Sequence, residues 1–160
     1  MQKIEILELI LASMQNNLQT LINTAHEARE AATNDESKAE NKYDTRGLEA
    51  SYLAGAQAKR AFELQENIRK LAQIKLIDFS KDQVIAMTAL VKVKLTGNQF
   101  RWLFLLPYAG GVIVDCAGEK IHVLSSESPL TKKLLGCELG DEFTFKTGSA
   151  TTDYEVLSIL

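Results

Sequence analysis

Four carboxylates lie close together in the segment NDESKAENKYD, residues 34–44: Asp35, Glu36, Glu40 and Asp44. Clustered carboxylates can bind a divalent cation, but acidic residues are also common wherever a turn between helices is exposed to solvent. A chemical role requires that the acids be held together at a defined place. The elements on either side of the segment therefore bear on both interpretations.

Long helices are predicted on both sides of this segment. Apolar residues before it follow one another at alternating steps of three and four, the heptad pattern of a helix packed along one partner. This first seam consists of Ile4, Leu7, Leu11, Met14, Leu18, Leu21, Ala25, Ala28 and Ala32. A second seam consists of Ala50, Ala54, Gln57, Ala61, Leu64, Ile68 and Leu71. Two such helices of about 30 residues predict an antiparallel hairpin that extends roughly 45 Å.

The two seams become narrower toward the carboxylate segment. Large Leu, Ile and Met side chains give way to alanines, which bury less apolar area and let the helices approach closely. A thin end of the hairpin is suited to entering a narrow space and contributes little to the stability of helix packing. Ser37 and Glu40 in SKAE match a capping box, which places the predicted turn just before the second helix.

The second half of the chain reads as strands. Alternating or aromatic-rich runs occur at 90–95, 100–107, 111–115, 120–124, 142–146 and 153–160. A single short helix is predicted from Ser128 as N-cap and Pro129 as first residue to Gly136. The prediction is an α+β fold: a coiled-coil hairpin over residues 1–76, with its tip at about 33–46, and a small antiparallel β domain over 77–160.

Composition narrows the class of protein. The 160 residues include 24% charged and 46% hydrophobic residues, a balance typical of soluble domains, and the net charge of -3 argues against a general coat for nucleic acid. Two cysteines give no disulfide framework and fit a reducing compartment. Glu5 and Glu8 interrupt the apolar N-terminus, and the apolar run at 102–114 is too short to span a bilayer. A cytoplasmic protein without membrane association is expected.

The segment ESPLTKKLLGCELGDEF, residues 127–143, resembles the C-terminal domain of the bacterial GreA/GreB-type transcript cleavage factors. The family pattern is Ser-Pro-Leu/Ile, a short helix with basic and leucine positions, Leu-Gly, and then Gly-Asp before a strand. The matching residues are Ser128, Pro129, Leu130, Lys132, Leu134, Leu135, Gly136, Gly140 and Asp141. The resemblance implies an FKBP-like domain, and the family also begins with a long antiparallel coiled coil.

The resemblance extends to the carboxylate segment. The family tip reads as an acid, two residues, Glu-Asn, two residues and Tyr. In this chain Glu40-Asn41 matches, whereas Tyr43 follows after one residue and Ser37 occupies the place of the first acid. Asp35 and Glu36 are the nearest acids upstream of it.

In that family the coiled coil enters the secondary channel of RNA polymerase, where acidic tip residues help to hold a catalytic Mg²⁺. The resemblance therefore implies that Glu40, with Glu36 or Asp35, shares Mg²⁺ with the polymerase, while the isolated chain carries no cofactor. Mg²⁺ keeps several waters, so one or two carboxylates are sufficient. Neighbouring basic residues are candidates for contacts with RNA phosphates near the 3′ end: Lys38, Lys42 and Arg46.

The expected function is that of a monomeric transcription elongation factor, which is a cofactor for the nuclease activity of the polymerase and not an enzyme itself. Candidate residues for polymerase binding are Ser128, Pro129, Leu130, Lys132, Gly140 and Asp141. Because Ser37 replaces an acid, a non-catalytic channel binder that modulates or inhibits the polymerase is the alternative. A prolyl isomerase is a third reading that depends on fold alone.

Other residues with reactive side chains favour structural roles. His26 and His122 are expected to be structural or exposed, and neither Cys116, in a predicted turn, nor Cys137 has a histidine nearby in sequence to activate it. Tyr43 and Tyr52 are expected to pack against the neighbouring helix, with stacking on a nucleobase as the alternative. Trp102 and Phe104 are expected in the core, and Lys92 and Lys94 on a solvated strand face.

Overall fold

The structure is a computed structural model that describes residues 2–33, 46–79 and 83–160. At positions 46, 47 and 50 it describes the backbone alone. The elements are α1 (Lys3–Thr33), α2 (Arg46–Ala72), β1 (Leu90–Leu95), β2 (Gln99–Leu105), β3 (Ile113–Cys116), β4 (Glu119–Leu124), α3 (Pro129–Leu134), β5 (Glu142–Thr147) and β6 (Ala150–Ile159). The predicted α+β fold is confirmed.

Helices α1 and α2 form the predicted hairpin, and both seams are less exposed than the residues between them. Leu7, Met14 and Ala28 on α1 are buried, as are Ala61 and Leu71 on α2. The remaining described seam residues are half-buried, except one. The predicted N-cap, Ser37, lies outside the described residues.

The exception is at the start of α1, where the predicted seam residue Ile4 is 51% exposed. Ile6 and Ile10, which the seam omits, are completely buried instead. The heptad pattern is therefore wrong at Ile4, whereas the next seam residue, Leu7, is buried as predicted. The physical reason is that the first turns of α1 belong to the compact unit that contains the sheet, so the buried face is set by more than one partner helix.

Lys3 attaches the beginning of α1 to this unit. Its ammonium group donates hydrogen bonds to the carbonyl oxygens of Ile77 and Thr88 and lies 4.8 Å from the centre of the Phe79 ring. Burial lowers the pKa of Lys3, against the opposing effect of the Asp78 carboxylate. The side chain therefore positions the helix end.

The six strands form one sheet in the order β3-β4-β2-β1-β6-β5. Four neighbouring pairs are antiparallel, but β2 and β4 are parallel. The wholly antiparallel sheet predicted from the sequence is thus wrong in one pairing. The difference arises from the strand order: β4, the second strand of the β3–β4 hairpin, lies next to β2 and runs in the same direction as β2.

One face of the sheet and α3 enclose the main described core. Its members include Val91 and Val93 on β1, Leu103 on β2, Val156 on β6 and Leu134 on α3. Phe104 and Ile121 lie on the other face and are also completely buried. The sheet is therefore covered on both faces over its centre.

Contacts between Cα atoms divide the chain into two compact units. One contains Met1–Ser13 together with Leu71–Leu160, and the other contains Met14–Lys70. The domain division 1–76 and 77–160 stays a prediction. No helix in the described part of the chain is long and apolar enough to cross a membrane.

Candidate functional site

The predicted catalytic and RNA-binding residues fall largely outside the described structure. Asp35, Glu36, Lys38, Glu40 and Lys42 are not among the described residues, and Arg46 is described only as the first backbone position of α2. Their roles, including Mg²⁺ binding by Glu40 and Glu36, stay predictions. The structure does describe the helix residues that precede and follow this segment.

Small residues face each other where the two helices flank the segment. Ala28 is buried, and Ala25, Ala32 and Ala54 are half-buried. On α1 the hydroxyl of Thr33 donates to the carbonyl oxygen of Arg29 at 3.0 Å, within the last turn of the helix. Alanines therefore line the part of the two helices nearest to residues 34–45 in sequence, as the seams predict.

Large apolar side chains on α2 are exposed near the same segment. Leu48 is 57% and Tyr52 73% exposed. The expectation that Tyr52 packs against the neighbouring helix is therefore wrong, because its ring points away from the seam. Tyr43 lies outside the described residues.

A groove of about 490 Å³ runs along one side of α1 and α2. Its lining residues are Leu18, Ile22, Ala25, His26, Arg29, Ala54, Gly55, Ala58, Ala61, Phe62 and Gln65. The aromatic ring of Phe62 is 65% exposed. Sequence reasoning missed this surface, although Leu48, Tyr52, Gly55 and Phe62 recur at helical spacing next to the seam.

The GreA/GreB-like motif forms α3 and the turn after it. Ser128 occupies the N-cap position without a capping hydrogen bond from its side chain, and Pro129 is the first helical residue. Leu130 packs against the core, and the Lys132 ammonium lies 3.9 Å from the Glu127 carboxylate at an exposed position. Only some of the predicted polymerase-binding residues are therefore accessible.

Gly140 and Asp141 build the turn that leads into β5. Gly140 has a φ of 89°, and its amide donates to the carbonyl oxygen of Val156 at 2.8 Å. The Asp141 carboxylate accepts a hydrogen bond from the Glu138 amide at 2.8 Å. These contacts give the Gly-Asp pair a folding role, while its predicted partner-binding role stays a prediction.

Two leucines next to this turn are exposed. Leu135 is 40% exposed and Leu139 48% exposed. With Lys132 and Lys133 they form a mixed apolar and basic surface, here called the α3 surface. The sequence indicates this surface through the adjacent leucines Leu134 and Leu135 of KKLLG, because two neighbouring helical positions cannot both face the core.

The remaining candidates have structural environments. Burial, followed by the charges of Arg101 and Lys120, lowers the pKa of His122, so its neutral form is favoured. Burial and then the Asp141 carboxylate raise the pKa of the Cys137 thiol, which keeps it protonated and unreactive. Cys116 is buried at the end of β3 and not in a turn as predicted.

The predicted strand residues are partly as expected. Phe104 is buried, whereas Trp102 is half-buried, and its indole nitrogen has no hydrogen-bond partner among the described residues. The Lys92 ammonium lies 5.2 Å from the Trp102 ring centre, and Lys94 forms a 3.2 Å ion pair with Glu155. The lysine face of β1 is thus half-buried by its neighbours and not fully solvated.

Within the described ranges no three His, Cys, Asp or Glu side chains are grouped so as to hold a metal ion. Carboxylate oxygens are suitable ligands for Mg²⁺. The predicted ligands, Glu36 and Glu40, lie outside the described residues.

The family model described as "Transcription elongation factor, GreA/GreB, C-term" matches residues 80–160, half of the chain. The chain belongs to the GreA/GreB family of transcription elongation factors. The match includes the whole sheet, α3 and the Gly140-Asp141 turn. A search of curated proteins finds no match.

Solved structures of family members are similar to this chain at low sequence identity. GreA factor homolog 1 (Gfh1) of Thermus thermophilus is 17% identical, with 94% of each chain covered and a TM-score of 0.41. Gfh1 of Thermus aquaticus is 18% identical, with 92% of each chain covered and a TM-score of 0.41. GreA/GreB from Nitrosomonas europaea is 23% identical over 60% of this chain and 78% of that chain, with a TM-score of 0.37.

Proposed function

We propose that this GreA/GreB family member binds RNA polymerase, inserts its hairpin into the secondary channel and stimulates cleavage of backtracked RNA. The family match over residues 80–160 carries the proposal. The Glu40-Asn41 pair and the alanine-lined helices that flank it support a thin acidic tip. In this role the protein is a cytoplasmic cofactor of the polymerase and performs no reaction alone.

The tip would complete a metal site that belongs mainly to the polymerase. Glu40, with Glu36 or Asp35, would contribute carboxylate oxygens, and the bound Mg²⁺ would stabilise charge on the scissile phosphate and activate water. Lys38, Lys42 and Arg46 would hold the RNA backbone near its 3′ end through contacts with phosphate oxygens.

Backtracked elongation complexes with Mg²⁺ provide the test. Addition of the protein is expected to release short 3′ RNA fragments, and Glu40→Ala is expected to abolish release while polymerase binding is retained. Glu63→Ala removes an exposed carboxylate of α2 far from the tip in sequence and is the matched control. Undiminished cleavage by Glu40→Ala would exclude the mechanism.

A non-catalytic channel binder is the second candidate, because Ser37 stands where the family has an acid. It predicts polymerase binding and altered initiation or pausing without fragment release. Ser37→Asp separates the two functions. Cleavage that appears only in this variant favours the non-catalytic binder, whereas cleavage by the natural sequence rejects it.

A further inference from the structure

Three side chains on the face of the sheet that α3 covers form a row, here called the basic row. Arg101 lies on β2, and Lys120 and His122 lie on β4. Leu103, which belongs to the core around α3, pairs with His122 in the parallel β2–β4 ladder. Residues two apart on a strand face the same side about 7 Å apart, so Arg101 and Lys120 continue this face one step further along the ladder.

The charges of the basic row are not neutralised by neighbouring acids. Arg101 and Lys120 are exposed, and within the part of the chain that the structure describes neither forms a salt bridge or a side-chain hydrogen bond. The carboxylate opposite Lys120 in the β3–β4 ladder is that of Asp115, which accepts a hydrogen bond from the Gly118 amide at 3.1 Å. The charges of Arg101 and Lys120 act on the imidazole of His122 instead.

The basic row ends at a cavity of about 280 Å³ between two loops. Its lining includes Gly110, Gly111, His122, Ser125 and Ser128, and none of its described lining residues is acidic. A Cβ atom at Gly110 would lie 2.7 Å from the Cβ and 2.8 Å from the Oγ of Ser125, so the close contact between the loops requires glycine there. The hydroxyl of Ser128 makes no capping hydrogen bond.

The size and chemistry of the cavity are suited to one phosphate group. Hydroxyl and imidazole groups without a competing carboxylate can donate hydrogen bonds to phosphate oxygens. The cavity is smaller than the roughly 300–1,000 Å³ that enclose a small-molecule ligand, so most of a larger ligand must lie outside it. Lys120 and Arg101 lead away from His122 at steps of about 7 Å, which favours a ligand with successive phosphate groups.

We propose that the cavity and the basic row bind a single nucleic-acid strand, with one phosphate group beside His122 and Ser125 and the next held by Lys120 and Arg101. Such a strand carries one negative charge at every nucleotide, as a row of cations requires. The net charge of -3 limits this contact to a local site. The site contains none of the predicted tip residues, and the proposal does not depend on the proposed function.

Fluorescence anisotropy of a short, fluorescein-labelled single-stranded RNA, titrated with the full chain at several salt concentrations, tests the site. The double variant Arg101→Gln with Lys120→Gln is expected to weaken binding about tenfold. It should also reduce the slope of log K against log salt by about 1.4, because each phosphate contact to a single strand contributes about 0.7. Lys75→Gln with Lys146→Gln removes the same charge at two exposed positions of the same compact unit and should leave binding unchanged.

Proton NMR of the two histidines locates the bound phosphate on the protein. An anion beside the imidazole favours its charged form, so addition of the RNA is expected to raise the pKa of His122. His26, on α1, is the internal control, and its resonances should not move. Adenosine monophosphate carries one phosphate group and cannot reach along the basic row, so it is expected to bind at least tenfold more weakly than the RNA.

Three results would overturn the proposal. The first is a natural chain that does not bind the RNA, or that binds it no more tightly than the double variant Arg101→Gln with Lys120→Gln. The second is RNA binding that leaves the resonances of His122 unchanged, which would assign the contact to basic residues elsewhere in the chain. The third is equal affinity for adenosine monophosphate and the RNA, which would limit the site to one phosphate group.

Discussion

Single residues of the family motif act through backbone geometry as well as through their side chains. Gly140 adopts a left-handed conformation at φ 89°, and Asp141 accepts a hydrogen bond from the Glu138 amide. Both residues fix the backbone conformation between α3 and β5, and this conformation determines the position of Leu139. A sequence motif that resembles a binding site is therefore partly a folding motif.

Gly140→Ala is expected to lower the free energy of unfolding by about 1–2 kcal/mol, because a side chain disfavours the left-handed region. Urea denaturation measures the loss. Gly55→Ala is the control: Gly55 is helical with open space around it, so the same change should raise stability by about 0.5–1 kcal/mol. Equal effects at both positions would contradict the explanation.

His122 is expected to titrate below its usual pKa of 6.5, because burial and then Arg101 and Lys120 disfavour the imidazolium. The unfolded chain then binds more protons than the folded chain, so this histidine's contribution to stability is lost as pH falls from 6.5 toward the folded pKa. NMR titration measures the pKa. Arg101→Ala should raise it, and a pKa at or above 6.5 in the natural chain would refute the prediction.

At the scale of elements, α1 changes its buried face along its length. Its later turns follow the heptad seam through Met14 and Ala28, whereas its first turns bury Ile6 and Ile10 in addition to the seam residue Leu7. A periodic pattern identifies a helix and one face of it, but a second packing partner at one end rotates the buried face there. The periodicity remained helical, so the helix itself was predicted correctly.

Ile6→Ala is expected to lower the free energy of unfolding by about 2–5 kcal/mol, because it leaves a cavity at a completely buried position. Ile4→Ala, two residues away at a position 51% exposed, is expected to change stability by less than about 0.5 kcal/mol. Chemical denaturation of both variants distinguishes the structure from the heptad seam, which predicts the larger loss at Ile4.

At the scale of the whole molecule, the proposed function requires a polymerase-docking surface as well as a tip. The α3 surface offers the exposed Leu135 and Leu139 beside Lys132 and Lys133. Apolar side chains with a basic rim are suited to a protein partner that carries acidic residues.

Leu139→Asp is expected to weaken polymerase binding at least tenfold, because it places a carboxylate in the apolar part of this contact. Surface-immobilised polymerase and a concentration series of the full chain give the Kd. Ile113→Asp, on the edge strand β3 at 52% exposure, is the matched control and should bind as the natural chain does. Unchanged binding by Leu139→Asp would place the contact elsewhere.

The sequence alone determined the features that depend on local periodicity and on short motifs. The spacing of the seams predicted two antiparallel helices. Alternation predicted six strands, and the bounds of Leu90–Leu95 are those observed. The Ser-Pro and Gly-Asp motifs indicated the family. These signals are carried by neighbouring residues, so no knowledge of distant contacts was needed.

Only the tertiary structure decided which strands are neighbours and which apolar side chains are left uncovered. The parallel β2–β4 pair, the burial of Ile6 in place of Ile4, and the exposure of Phe62 and Leu139 all depend on contacts between residues far apart in sequence. Local patterns cannot encode such contacts, because a side chain is buried or exposed only relative to the elements that pack against it.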